Sequence, residues 1–145
     1  MNRKEFIKTC GGSCLTLIGL TQLEACKPTL HVQGTLISSR LVIEKRAFSI
    51  LKKDKIIYRK SILTKPENFD FPLAIYRFTD TEYSALLLRC SHQNNELTMS
   101  GDILSCPAHG SEFDNRGLVL QGPAEQRLQA FKVTHDEKNI YISLS

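Results

Sequence analysis

Cysteine is scarce in most of this chain. Of its five cysteines, Cys10, Cys14 and Cys26 lie within the first 26 residues, and only Cys90 and Cys106 lie beyond them. If residues before Cys26 are removed by processing, no cysteine pair remains outside the 90–106 stretch. The mature domain would then contain no disulfide in any compartment. An apolar content of 41% is nevertheless enough for a globular core.

The sequence also lacks a strong charge of one sign, internal repeats and low-complexity tracts. Its formal net charge is only +4, and the basic residues are spread along the chain. This distribution argues against nucleic-acid binding. The length of 145 residues accommodates one domain and an extension.

Residues 1–26 have the composition of a targeting segment. A basic front end at 2–8 resembles the twin-arginine export motif, with Lys4 in place of the second arginine. The weakly apolar stretch 12–20 is shorter than the ~20 residues of a membrane-spanning helix. Leu23-Glu24-Ala25-Cys26 resembles a lipobox and predicts lipidation of Cys26. We therefore expect export to the periplasmic or cell-surface side of a bacterial membrane, with an N-terminal anchor; an uncleaved amphipathic helix would give the same placement.

The candidate chemistry lies in residues 90–113, CSHQNNELTMSGDILSCPAHGSEF. Cys90 and His92 form C-x-H, and thirteen residues later Cys106 and His109 form C-x-x-H. Thiolate and imidazole ligands suit iron–sulfur or zinc centres. Zinc sites usually combine C-x2-4-C with H-x3-5-H, whereas both halves here are mixed. Mixed halves suit a two-iron cluster with the cysteines on one iron and the histidines on the other, and zinc is the alternative.

CSH followed by CPAHGSEF resembles the two-box signature of Rieske [2Fe–2S] domains. The resemblance implies one [2Fe–2S] cluster per chain. It implies that Cys90 and Cys106 bind the inner iron, and that His92 and His109 bind the outer, more exposed iron. Ser111 matches the family serine that donates a hydrogen bond to a cluster sulfur.

Two positions depart from the respiratory members of that family. Asn95 and Ala108 stand where those proteins carry a pair of disulfide-forming cysteines, and Phe113 stands where they carry a tyrosine. The resemblance therefore implies a type without the cluster-loop disulfide. Fewer donors to a cluster lower its reduction potential, so we expect a potential below that of quinol-oxidising proteins.

The pattern after residue 27 predicts an all-β fold, an antiparallel β-sandwich with a small inserted cluster-binding subdomain, over 27–145. A continuous apolar run, Leu86-Leu87-Leu88, predicts a strand buried on both faces. Residues 52–55 and 63–71 are predicted as a solvated turn and a loop. The predicted strands are 32–37, 41–43, 47–50, 55–58, 73–78, 83–89, 97–99, 103–105, 118–120, 128–133 and 140–144.

Three functions are compatible with these features. The first is one-electron transfer by an exported, membrane-tethered protein, as a carrier or as a non-catalytic small subunit of an oxidoreductase. Its partner would be a redox protein or a quinol that contacts His92 and His109. The second is the Rieske subunit of a quinol–cytochrome c reductase-type complex, which Phe113 and the absent disulfide disfavour. The third is a zinc-stabilised or metal-free β-domain with a binding role.

Overall fold

Strands make up most of the regular structure. The computed structural model describes residues 29–145, so residues 1–26 and Cys26 lie outside the described residues. Within that range one short 3-10 helix, Lys45–Phe48, accompanies the strands. No helical segment between residues 29 and 145 has the length and apolar character needed to span a bilayer. The strands are β1 (Thr35–Ile37), β2 (Arg40–Glu44), β3 (Ser49–Lys52), β4 (Lys55–Tyr58), β5 (Ser61–Thr64), β6 (Leu73–Arg77), β7 (Tyr83–Leu87), β8 (Thr98–Ser100), β9 (Ile103–Ser105), β10 (Glu112–Asp114), β11 (Val119–Gln121), β12 (Ala130–His135) and β13 (Asn139–Ser143).

The main sheet curls around a core. Its seven strands run in the order β1-β2-β13-β12-β7-β6-β5. The two ends approach each other, because His31 bridges Leu63 and the Val32 amide donates to the Leu63 carbonyl at 2.8 Å. The interior is filled by apolar side chains from both halves of the sheet: Leu41, Ile43, Phe48, Ile62, Leu73, Ile75, Ala85, Leu87, Ile140 and Ile142.

Strands β6 and β7 are buried on both faces, as the apolar run at 86–88 predicts. On β7, Ala85 and Leu87 face the main core. Leu86 and Leu88 belong to a second core, which lies beneath the subdomain formed by residues 88–129. On β6, Tyr76 also belongs to this second core, and its hydroxyl donates to the Gly101 carbonyl at 3.2 Å. Burial raises the pKa of the Tyr76 hydroxyl above its usual range, so the group stays protonated and able to donate.

The cluster subdomain is an insertion between two paired strands. β7 pairs with β12, and the intervening residues 88–129 form a separate sheet in the order β11-β10-β9-β8. The β8–β9 hairpin turns at Gly101 and leads into Cys106. The predicted all-β architecture with an inserted subdomain is therefore confirmed.

Several strand boundaries differ from those that the sequence predicts. The predicted loop 63–71 begins inside β5, where Ile62 and Thr64 are buried. β10 is absent from the prediction because Glu112-Phe113-Asp114 has a single apolar residue, and it becomes a strand by pairing with β9 and β11. Part of the predicted strand 47–50 is 3-10 helix, which directs Phe48 into the main core.

We predict that Leu86→Ala destabilises the protein by about 2–5 kcal/mol, because it leaves a cavity between the sheet and the subdomain. The Leu86 Cδ2 atom is only 3.0 Å from the place that a Cβ would occupy at Gly117, so the packing there is tight. Leu51→Ala is the control: Leu51 is 74% exposed, and its replacement should change stability by less than about 0.5 kcal/mol. Urea unfolding of both variants measures the difference, and equal losses would contradict the two-faced burial of β7.

Candidate metal centre

The two predicted ligand loops share one backbone hydrogen-bond pattern. The Cys90 amide donates to the Asn95 carbonyl at 2.8 Å, and the Asn94 amide donates to the Cys90 carbonyl at 2.9 Å. In the second loop, the Cys106 amide donates to the Ser111 carbonyl at 2.8 Å, and the Gly110 amide donates to the Cys106 carbonyl at 2.9 Å. Each cysteine thus starts a tight loop that is closed by the fourth and fifth residues after it.

Both loops reverse direction at the same relative place. Asn94 has φ 57° and Gly110 has φ 78°, each four residues after its cysteine. Asparagine and glycine are the residues that adopt this left-handed conformation most readily. Asn94 has no role in the sequence-based prediction, although it follows Cys90 at the same spacing as Gly110 follows Cys106. That equal spacing is the signal in the sequence for a shared loop geometry.

The four predicted ligands differ sharply in burial. Cys90 is fully buried and Cys106 is 2% exposed, and both are free thiols in the core beneath the subdomain. His92 and His109 are exposed, and their ring centroids lie 5.1 Å apart at an interplanar angle of 84°. The loops therefore present a buried pair of sulfur donors and an exposed pair of imidazoles.

This donor set fits a two-iron cluster. Such a cluster takes its thiolate and imidazole ligands on different irons, so the two pairs need not converge on one ion. Among residues 29–145, no three His, Cys, Asp or Glu side chains are gathered for a single metal ion. The other two histidines lie away from the loops: His31 is in the bridge to β5, and the His135 ring is 6.3 Å from the Tyr83 ring.

Residues 121–129 form a strap across both loops. On the second loop, the Gln121 side-chain amide donates to the Gly110 carbonyl at 3.0 Å. On the first loop, the Ser91 hydroxyl donates to the Gln126 carbonyl at 2.6 Å. Neither contact has a signal in the sequence, because the bonded residues are 11 and 35 positions apart along the chain.

Ser111 joins the second loop to the strap. Its hydroxyl oxygen is fully buried and accepts a hydrogen bond from the Ala124 amide at 3.0 Å. Ala124 is itself buried, next to the exposed Pro123. A hydroxyl that accepts one hydrogen bond keeps its own hydrogen for another acceptor, so Ser111 can hold the strap and still donate.

The positions that depart from respiratory proteins are also placed. Phe113 is fully buried in the core beneath the subdomain, on β10. Asn95 is half-buried at the end of the first loop, and Ala108 is exposed in the second.

A family comparison identifies the domain. Residues 47–132 match the model of the Rieske [2Fe-2S] domain. The chain belongs to the Rieske family. It therefore contains a Rieske iron–sulfur electron-transfer domain, and the matched range spans the positions of the four predicted ligands and Ser111.

Individual Rieske proteins share about half of the chain. Ferredoxin CarAc of Metapseudomonas resinovorans is 34% identical over 76 residues, which cover 50% of this chain and 70% of the ferredoxin. The oxygenase component of dicamba O-demethylase from Stenotrophomonas maltophilia is 33% identical over 84 residues, 50% of this chain and only 24% of that protein. The plasma-membrane Rieske protein PetC3 of Synechocystis PCC 6803 superposes with a TM-score of 0.49 at 23% identity, covering 57% of this chain and 85% of that one.

We predict that Ser111→Ala costs about 1–3 kcal/mol of stability, because it leaves the buried Ala124 amide without an acceptor. Ser91→Ala is the matched control. Its hydroxyl also bonds the strap, but at an exposed site where water replaces it, so the loss should be smaller. Denaturant unfolding and amide hydrogen exchange at Ala124 measure both effects, and unchanged Ala124 protection in Ser111→Ala would contradict this role.

Proposed function

We propose that this protein transfers single electrons through a [2Fe–2S] cluster as an exported, membrane-tethered carrier or as the small subunit of an oxidoreductase. The observation that carries the proposal is the pairing of two buried thiols, Cys90 and Cys106, with two exposed imidazoles, His92 and His109. Buried sulfur donors hold a cluster away from water, and exposed imidazoles give a partner close access to it.

Each residue of the loops has a distinct task in this proposal. Cys90 and Cys106 would hold the inner iron as thiolates, and His92 and His109 would hold the outer iron. When bound, the cluster supplies a one-electron redox couple whose potential depends on its ligands and hydrogen bonds. Ser111 would donate to a cluster sulfur, while the strap at 121–129 fixes the two loops in their relative positions.

The tethered, low-potential version of this function rests on the sequence. Asn95 and Ala108 support a cluster site without a disulfide between its loops. Phe113 lacks the hydroxyl that a tyrosine would offer as a hydrogen-bond donor. Both features favour a carrier over a subunit that oxidises quinol. The basic, apolar and lipobox-like parts of residues 1–26 support export and lipidation at Cys26.

A second candidate is a ferredoxin that delivers electrons to an oxygenase. It is favoured by the 34% identity to Ferredoxin CarAc over 70% of that protein's length. This candidate shares the cluster and the exposed histidines with the first and differs in location and partner. A zinc-stabilised or metal-free binding domain is the non-redox alternative, which metal content decides.

We predict that the purified protein contains two irons and two sulfides, and that the dithionite-reduced protein gives a rhombic low-temperature EPR signal. Cys106→Ala should lose the iron and the signal, because it removes one of the two thiolates of residues 29–145 and leaves Cys90 alone. His135→Ala is the matched control and should keep both, because His135 lies on β12 next to Tyr83. Bound zinc, or no metal in the unmodified protein, would refute the electron-transfer proposal.

Localisation separates the tethered carrier from the oxygenase ferredoxin. When the full chain is expressed in a bacterium, we expect it in the membrane fraction, with radiolabelled fatty acid attached. Cys26→Ser should abolish the label, whereas Cys14→Ser, a cysteine in the same segment, should keep it. Unlabelled protein in the cytoplasm would support the ferredoxin candidate instead.

A further inference from the structure

The β3–β4 hairpin projects from the body of the protein with an unusual surface. Its two strands pair only with each other. All side chains of residues 51–58 are exposed. Leu51 and Ile56 are 74% and 63% exposed, the highest values among the large apolar side chains of residues 29–145. Because Leu51 lies directly opposite Ile56 in the register, the two side chains form one apolar patch on one face.

The tip of the hairpin is basic. Lys52 faces Lys55 across the strands, and Lys53 stands in the turn beside a single acidic residue, Asp54. Like charges directly opposite each other in a hairpin are destabilising. None of these lysines forms an ion pair with a carboxylate of residues 29–145. Their charge is therefore available to an external anionic surface.

The turn is also conformationally costly. Lys53 has φ 47° and Asp54 has φ 61°, where hairpins of this kind usually carry Asn-Gly. The turn places Lys53 between Lys52 and Lys55, whose side chains leave the hairpin on the face opposite Leu51 and Ile56.

The base of the hairpin is fixed to one end of the main sheet. The Arg59 amide donates to the Phe48 carbonyl at 2.7 Å, and the Phe48 and Tyr83 rings lie 5.9 Å apart. The Arg77 guanidinium stacks 4.2 Å from the centre of the Tyr58 ring. Tyr83 begins β7, and Cys90 follows the other end of that strand. β7 alone separates its two ends by roughly 13 Å, so the hairpin and the candidate metal centre lie at opposite ends of the sheet.

We propose that the β3–β4 hairpin docks on an anionic lipid bilayer, with Leu51 and Ile56 entering the headgroup boundary and Lys52, Lys53 and Lys55 contacting lipid phosphates. Exposed apolar side chains with lysines next to them in the chain are the combination that binds anionic membrane surfaces. The long stems of Lys52 and Lys55 let their ammonium groups reach the lipid phosphates from the opposite face of the hairpin. A second copy of the chain would bring like charges together, which disfavours self-association at this site. Docking at the Tyr83 end of the sheet would leave His92 and His109, which follow the other end of β7, accessible to a water-soluble redox partner.

The absence of tryptophan allows a direct test with the full-length protein. Leu51→Trp places a single tryptophan on the apolar patch. With vesicles of phosphatidylcholine and phosphatidylglycerol, its fluorescence should shift to the blue and be quenched by lipids with brominated acyl chains. With phosphatidylcholine alone it should shift far less.

The control is Leu120→Trp. Leu120 is 54% exposed and precedes Gln121, which bonds the second cluster loop. It should remain unshifted with the same vesicles. Tethering by the N-terminal segment alone would shift the fluorescence of neither tryptophan. An unshifted Leu51→Trp therefore overturns the proposal and leaves an acidic protein as the hairpin's partner. Equal shifts at both positions would also overturn it.

The basic tip is tested in the Leu51→Trp background. Replacing Lys52, Lys53 and Lys55 with Gln should lower the ratio of inserted to water-exposed hairpin about a hundredfold, at roughly fivefold per lysine. The control removes the same charge elsewhere, with Arg40→Gln, Lys65→Gln and Lys132→Gln, and should change the ratio less than about twofold. Equal losses in the two triple variants would overturn the role of the tip. None of these readouts depends on the cluster, so their failure and that of the electron-transfer proposal are distinguishable.

Discussion

The two-sided burial of β6 and β7 is the constraint on which the rest of the structure depends. Ala85 and Leu87 fill the main core, while Leu86 and Leu88 support the inserted subdomain. Side chains alternate strictly along a strand, so a slip of one residue would exchange the two sets. The register of β7 therefore fixes both the packing of the sheet and the place from which Cys90 enters the first predicted ligand loop.

The ligand loops reach a common geometry from unequal spacings. His92 is two residues after its cysteine and His109 is three, yet both histidines are exposed and their rings lie 5.1 Å apart. In both loops the cysteine amide donates to the carbonyl of the fifth residue after it, and the cysteine carbonyl accepts from the amide of the fourth. The strap then fixes one loop against the other, so the separation of the two histidines depends on residues distant in sequence.

The sequence predicts features that are local and fails for those that depend on distant contacts. Neighbouring residues specify the Cys/His motif, the strong strands β6 and β7, and the turn predicted at residues 52–55. β5 and β10 are short, and they form because β6 and β9 provide partners. The contact of Gln121 with the second loop likewise requires the pairing of β10 with β11, and the contact of Ser91 with Gln126 requires the reversal at 122–126. The exposure of Leu51 and Ile56 is also unpredictable from pattern, because an apolar β-branched run normally indicates burial.

The exposure of Leu51 and Ile56 bears on function. An exposed apolar pair on a hairpin without a third strand promotes aggregation in water. The lysines at the tip of the hairpin limit that risk by repulsion between copies, and in the proposed docking the same charges favour an anionic surface. The two ends of the sheet therefore differ. The hairpin with its exposed lysines and its apolar pair lies at the Tyr83 end, and the two exposed histidines lie beyond the other end. A quinol dissolved in the bilayer would meet the wrong end of a protein held in this way, whereas a water-soluble redox protein would meet the histidines directly.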